Sequence, residues 1–134
     1  MKNGLDDNFR FLENALSVRT YRQQLLAANI TNADTPNYKA VDVDFDKAMR
    51  RAQAGRASDV NLTRTETGHL PGLGTQTLAR EALFRRDSQV GIDGNSVNLD
   101  EEQARFSENA IQYQAAVNFL SGKIKTLLTA IQGS

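Results

Sequence analysis

The sequence predicts a mainly α protein: long N- and C-terminal helices packing as an antiparallel coiled-coil hairpin, with a Gly-rich loop or short β segment between them. Three observations lead there. The last third carries a nearly unbroken heptad seam through Leu99, Gln103, Phe106, Ala110, Tyr113, Val117, Leu120, Ile124, Leu127 and Ile131, in which Gln103 alone is polar. A 3.5-residue apolar repeat of that length marks a helix built to wind against another helix. A weaker seam occupies the start of the chain, and the stretch between the two is rich in glycine and poor in aromatic residues.

Residues 5–33 read as a long amphipathic helix. The four-three walk Leu5, Phe9, Leu12, Leu16 is apolar, falters at Arg19 and Gln23, and recovers at Leu26, Ile30 and Ala33. Val18, Tyr21, Leu25 and Ala28 form a second row, the pattern of a stutter in a heptad repeat. The helix is expected to end near Asp34-Thr35-Pro36, because proline disfavours the helical conformation at the residue before it. Pro36-Asn37-Tyr38 is a turn signal, in which Pro36 fixes φ and Asn37 tolerates the left-handed region. The alternation Val41-Asp42-Val43-Asp44-Phe45-Asp46 has the period of a short half-buried strand, with Val41, Val43 and Phe45 on one face. Lys47 to Ala54 is read as a brief helix.

From about Gln53 to Asn95 the character changes. Gly55, Gly68, Gly72, Gly74, Gly91 and Gly94 fall here with a single aromatic, Phe84, and His69-Leu70-Pro71-Gly72-Leu73-Gly74 is strong breaker chemistry. So little large apolar surface does not offset the ordering entropy, so a mobile loop or short β elements needing a partner are expected. Ser88 to Val97 fits a hairpin about Asp93-Gly94. The last helix has a clean start: Asn98 as cap, Glu101 three residues on, acidic residues in the first turn, and Lys123 and Lys125 toward the end. Gly122 within it either permits close approach of a neighbour or only weakens the helix by about 1 kcal/mol. The chain thus divides into an N-terminal helical unit (1–35), a turn, short strand and brief helix (36–52), a flexible or β-containing insert (53–97) and the C-terminal heptad helix (98–134).

At about 1.5 Å per residue, residues 99–131 span roughly 50 Å, and a helix that long needs a partner along most of its length. The N-terminal helix is the intramolecular candidate. Phe11, Phe119, Leu128 and the Val18 row lie off the main seam, more than two helices can cover, so self-association or assembly with other helical subunits is expected.

Composition narrows the function classes. The 134 residues suffice for one ordinary domain. The formal charge is zero and the sequence pI about 6.6, so no basic field is present to hold nucleic acid or an anionic membrane. Arg50, Arg51, Arg56 and Arg64 read as a solvated face, interrupted by Asp59. With no cysteine, disulfides, thiolate metal sites and cysteine nucleophiles are excluded, while the compartment stays open. The opening MKNGLDDNFRFLENAL contains no continuous apolar run of the kind a cleaved secretory signal needs, and no run approaches a membrane span.

Catalytic chemistry finds no foothold. His69 is the lone histidine and lies among Pro and Gly. Asp42, Asp44 and Asp46 resemble the opening of a calcium loop, but Lys47 stands where glycine is required and Gln53 where glutamate is. As strand residues they would send their carboxylates to one exposed face. No phosphate-binding glycine loop, nucleophile elbow or dinucleotide fingerprint occurs. No enzyme, cofactor or metal site is expected.

The stretch from Leu25 through Ala28-Asn29-Ile30-Thr31-Asn32 to Thr35-Pro36-Asn37-Tyr38-Lys39-Ala40 resembles the N-terminal signature of the bacterial flagellar rod, hook and axial proteins, a helix ending in Ala-Asn-Ile-x-Asn followed by Thr-Pro-Gly-Tyr-Lys. Asn37 replaces the usual glycine, a mild change because Asn also tolerates positive φ. Val41 to Phe45, the stretch Asp93-Gly94-Asn95-Ser96-Val97-Asn98-Leu99-Asp100-Glu101-Glu102 and the later Asn118 to Lys125 are similar to the proximal-rod members of that group. The resemblance covers roughly residues 9–48 and 91–133 and leaves the middle unmatched.

It implies terminal helices packed together as a coiled coil along a tubular axis, disordered in the free subunit and folding on assembly. It further implies export through the flagellar type III apparatus to a periplasmic rod in the basal body without a cleaved signal. The implied partners are other rod subunits and the rod-to-membrane-ring junction, beside the self-association expected from the uncovered apolar rows and the lack of nucleic acid expected from the charge balance. On this reading the interface buries Phe106, Tyr113, Val117, Leu120, Ile124 and Leu127 against Leu12, Leu16, Leu26 and Ile30, while Pro36, Tyr38, Val41, Val43 and Phe45 anchor the connector beside the helices. The rival class is a soluble helical adaptor or export chaperone, which would be fully helical and cooperative in isolation.

Overall fold

The computed structural model of the chain describes residues 2–54, 82–85 and 90–133. Its elements run α1 (Lys2–Thr31), β1 (Val41–Val43), α2 (Phe45–Ala54), β2 (Ala82–Phe84) and α3 (Leu99–Gln132). Much of the Gly-rich insert, including His69 and the breaker run, lies outside the described residues.

The long helices pack antiparallel. Asn29 meets Glu102, Gln23 meets the Phe106 carbonyl, and Arg19 meets Gln112, so residues ascending along α1 face residues descending along α3. The expected hairpin of long terminal helices with a short β segment between them is therefore present. No described helix is long and apolar enough to cross a membrane.

α1 ends at Thr31 and unwinds through successive turns, Asn32 N–H to Ala28 O at 3.0 Å and Thr35 N–H to Asn32 O at 3.0 Å. Tyr38 N–H then closes on Thr35 O at 3.3 Å. Pro36 sits second in this turn and Asn37 third with φ +61°, the arrangement of a type II turn. α1 thus stops a little before the expected boundary, its last turn tightened rather than extended to the proline.

The strand is shorter than its alternation implies. It ends at Val43, and Asp44 caps α2, accepting from the Lys47 N–H at 3.2 Å while its carbonyl accepts from the Ala48 N–H at 3.0 Å. Phe45 is therefore the first residue of a helix, not a strand residue. An acidic side chain able to satisfy orphan amide donors wins over a period-two pattern only a few residues long. β2 pairs antiparallel with β1, Val41 opposite Phe84 and Val43 opposite Ala82. The turn further on is set by Asp93: Gly94 N–H bonds Gly91 O at 2.9 Å and Asp93 Oδ1 accepts from Asn95 N–H at 3.1 Å. Its central residues are thus Ile92 and Asp93 rather than Asp93 and Gly94.

α1 lies between two layers. One side faces α3. The other carries Ala15 and Val18, which join Val43, Ala48 and Met49 in a buried cluster flanked by Tyr21, Leu25 and Phe45. The second apolar row of α1 is therefore a second packing face, not a coiled-coil stutter, and Val18 is fully buried inside this one chain. A row of small and branched residues faces a short element crossing the helix, an arrangement that periodicity alone does not distinguish from a register slip.

α3 starts as expected, with Asn98 extended and accepting from the Glu101 N–H at 3.4 Å, and ends at Gly133 with φ +59°. Its last turn carries no basic residue. Lys123 and Lys125 stand too far from the terminus for its dipole, whose influence fades within a turn. The two halves of α3 differ. Glu102 and Asn109 are fully buried, whereas Ile111, Phe119, Leu128 and Ile131 are exposed, Ile131 at 81 %. A Cβ added at Gly122 would meet nothing within 4 Å.

Candidate functional site

The region where the two quoted motif stretches converge is built on polar side chains. Asn29 is fully buried at the end of α1. Its amide donates to Val41 O at 2.8 Å and Glu102 Oε2 at 2.9 Å, and accepts from Val41 N–H at 3.0 Å and Tyr38 OH at 3.2 Å. It thus pairs with the backbone of Val41 as a neighbouring strand would, and its hydrogen-bonding capacity is filled. One side chain ties α1, the connector, β1 and α3 together.

The carboxylate of Glu102, also fully buried, receives both terminal nitrogens of Arg85, one at 3.1 Å. Arg85 reaches on to Asp42 at 3.4 Å. Asp42 in turn takes a two-pronged contact from Arg22, at 2.9 and 3.1 Å, and a longer one from Arg105 at 3.6 Å. Asp42 is therefore drawn into the junction and leaves the exposed face once expected for it with Asp44 and Asp46. The hydrogen bond to Asp42 raises the Arg22 guanidinium above its usual pKa. Burial, then the Glu102 charge, raises the Tyr38 phenol, while burial lowers Arg19. Paired charges of both signs offset the cost of burying this network.

The second half of the junction is a clasp. Asn95 Nδ2 points at three carbonyls at the end of α1, Asn32 at 3.0 Å, Ala33 at 2.9 Å and Thr35 at 2.8 Å. They lie just past the end of α1, and two of them also accept from the main chain in the turns closed by Thr35 and Tyr38. Ser96 Oγ accepts from Ala40 N–H at 2.8 Å, Ser96 N–H donates to Tyr38 O at 3.0 Å, and Lys39 Nζ donates to Gly94 O at 2.6 Å. The approach to α3 is thereby stitched onto the turn that leaves α1. This constellation holds elements together. Among the described residues no group of three or more His, Cys, Asp or Glu could hold a metal ion.

A sequence profile of the family described as "Flagella basal body rod protein" matches residues 9–39, which hold Asn29, Pro36 and Tyr38. The whole chain is similar to the flagellar basal body rod protein FlgB of Escherichia coli K12, 42 % identical over 98 % of each chain. It is also similar to FlgB of Salmonella typhimurium, 38 % identical over 99 % of each, and of Buchnera aphidicola, 32 % identical over 99 % of this chain and 100 % of the other.

The chain belongs to the flagellar basal body rod protein family.

The interface residues expected of this rod-family chain fall into three groups. Leu26 and Val43 are buried. Leu12, Leu16, Ile30, Tyr38, Val41, Phe45, Phe106, Val117, Leu120 and Leu127 are half-buried, and Pro36, Tyr113 and Ile124 are exposed. Leu26, Ile30, Tyr38, Val41 and Phe106 gather at the junction, whereas Leu12, Leu16, Val117, Leu120, Ile124 and Leu127 lie along the outer half of the hairpin. One row of α3 differs from the heptad walk: Glu102 and Asn109 turn inward while Gln103 and Ala110 are exposed. These two inward residues have hydrogen-bond partners on α1, which rotates the helix by one position there.

Sequence reasoning does not place Asn29, Asn95, Glu102 or Arg85 among the interface residues, and it weighs Asp42 only as a calcium-loop residue. The available signal was a polar residue adjoining an apolar walk, Asn29 between Leu26 and Ile30 and Glu102 beside the seam. Arg85 had no such signal, because its role depends on β pairing.

Gly94 of this rod-family junction has no room for a side chain. It has φ +77°, and a Cβ there would lie 2.4 Å from Asn37 Oδ1. Gly94→Ala is expected to cost about 1–3 kcal/mol, read as a lowered midpoint in thermal unfolding. Asn37→Gly in that background removes the clashing amide and is expected to recover part of the loss.

Proposed function

We propose that the chain is a structural subunit of the flagellar proximal rod, part of the drive shaft of the basal body, and that it assembles by coupled folding and coiled-coil packing. The observation that carries this reading is the division of the hairpin. The junction half buries Leu26, Asn29 and Glu102 completely, while the outer half leaves Leu5, Phe11, Phe119, Ile124, Leu128 and Ile131 exposed at 44–81 %. An apolar stripe that long, on a relative of rod proteins, fits helices whose outer halves order against neighbouring subunits. The role is structural rather than catalytic. The partners are other rod subunits, further copies of this chain and the rod-to-membrane-ring junction. The route is the flagellar type III export apparatus, without a cleaved signal, to the periplasmic rod.

The test is genetic and visual. Deleting the gene in its source organism should leave membrane rings without a rod in electron micrographs of purified basal bodies, and the wild-type gene should restore it. Leu120→Asp, which puts a charge on the outer half of the half-buried seam, should be expressed yet abolish incorporation. Complete rods after deletion would remove this reading in favour of a soluble helical adaptor or export chaperone.

A further inference from the structure

The α1–α3 contact beyond the junction contains a second polar series. Asn109 is fully buried, and its Nδ2 donates to Arg19 O at 2.9 Å and Gln23 Oε1 at 2.6 Å. Gln23 Nε2 reaches Phe106 O at 3.4 Å, and Arg19 Nη1 donates to Gln112 Oε1. The Asn109 Oδ1 is buried with no partner among the described residues. This series sits where α1's apolar walk falters, at Arg19 and Gln23.

We propose that Asn109, with Gln23 and Arg19, is a register-specifying lock for the helix hairpin. An apolar heptad seam tolerates displacement by seven residues, because one ring of aliphatic side chains resembles the next, whereas a single buried polar position fixes the alignment. Here the two one-heptad slips are both penalised. Seven residues before Arg19 and Gln23 stand Leu12 and Leu16, and seven residues after them stand Leu26 and Ile30. Either slip replaces Gln23, the one side-chain acceptor of the buried Asn109 amide, by Leu16 or Ile30, leaving that amide a main-chain carbonyl alone. The unpartnered Oδ1 fits the same role, since alignment and not maximal bonding is what the position supplies. The junction contacts fix the helices only near Asn29 and Glu102. The lock carries alignment outward toward the half of the seam left exposed, and it holds whatever that half packs against.

The isolated full chain tests this. It has no cysteine, so Thr31→Cys and Ser107→Cys place two spin labels on exposed sites of α1 and α3 without competing thiols. With the native ladder, pulsed electron resonance should return one narrow distance and sedimentation a single species. With Gln23→Leu and Asn109→Leu added, helicity should be kept, while a second distance appears, corresponding to a shift of about 10 Å along the axis, or off-register oligomers form. A helical monomer with the single native distance would overturn the proposal, because alignment would then rest on the junction alone. Loss of helicity would overturn it as well, making the ladder a stabilising feature and not a specifying one. Neither result bears on the rod role.

Discussion

Glu102→Ala should lower the unfolding free energy of the isolated chain by about 3–5 kcal/mol, the usual cost of breaking a buried ion pair from one side. Glu102 is fully buried, and the Arg85 side chain it holds is only 12 % exposed. Removing the carboxylate leaves that guanidinium with Asp42 at 3.4 Å as its remaining ionic partner. It also leaves the Asn29 amide one acceptor short. Urea unfolding followed by helical circular dichroism reads the loss. The double variant Arg85→Met/Glu102→Leu removes both charges and should recover much of it, because the unpaired charge and not the missing bond is the larger cost. A single-variant loss below about 1 kcal/mol would mean the pair is solvated and the network peripheral.

Leu26→Ala should cost about 2–5 kcal/mol in the same experiment. Leu26 is fully buried beside the junction, so truncation leaves a void among packed side chains. The paired control is Ile111→Ala on the exposed face of α3. At 71 % exposure, that change should stay within about 0.5 kcal/mol. Equal losses at the two positions would contradict the burial of Leu26 against the exposure of Ile111.

That division shows which features of the chain are legible in sequence. The helices themselves are. A heptad seam from Leu99 to Ile131 and its partner from Leu5 are properties of spacing, and spacing survives whatever the helix packs against. The cap at Asn98 and the turn at Pro36-Asn37 are likewise local, since each satisfies or redirects the backbone within three or four residues. The candidate site is legible in part. Its apolar members lie on the seam, but the polar members that join the elements do not announce themselves. Asn29 looks like an interruption of an apolar walk until Val41 is folded beside it. Asp42 looks like one of three alternating carboxylates until Arg22 and Arg85 close on it.

The two helices, the turn between α1 and β1 and the family signature are written in the chain itself, because each depends on neighbours within a few residues or on a period repeated many times. Which face of α1 receives α2, and that Glu102 and Asn109 rather than Gln103 and Ala110 turn inward, emerge only when the elements pack. Those choices depend on which distant group supplies a hydrogen-bond or ionic partner. A buried polar side chain is stable only where that partner stands, and its location is a property of three-dimensional contact that no local spacing encodes.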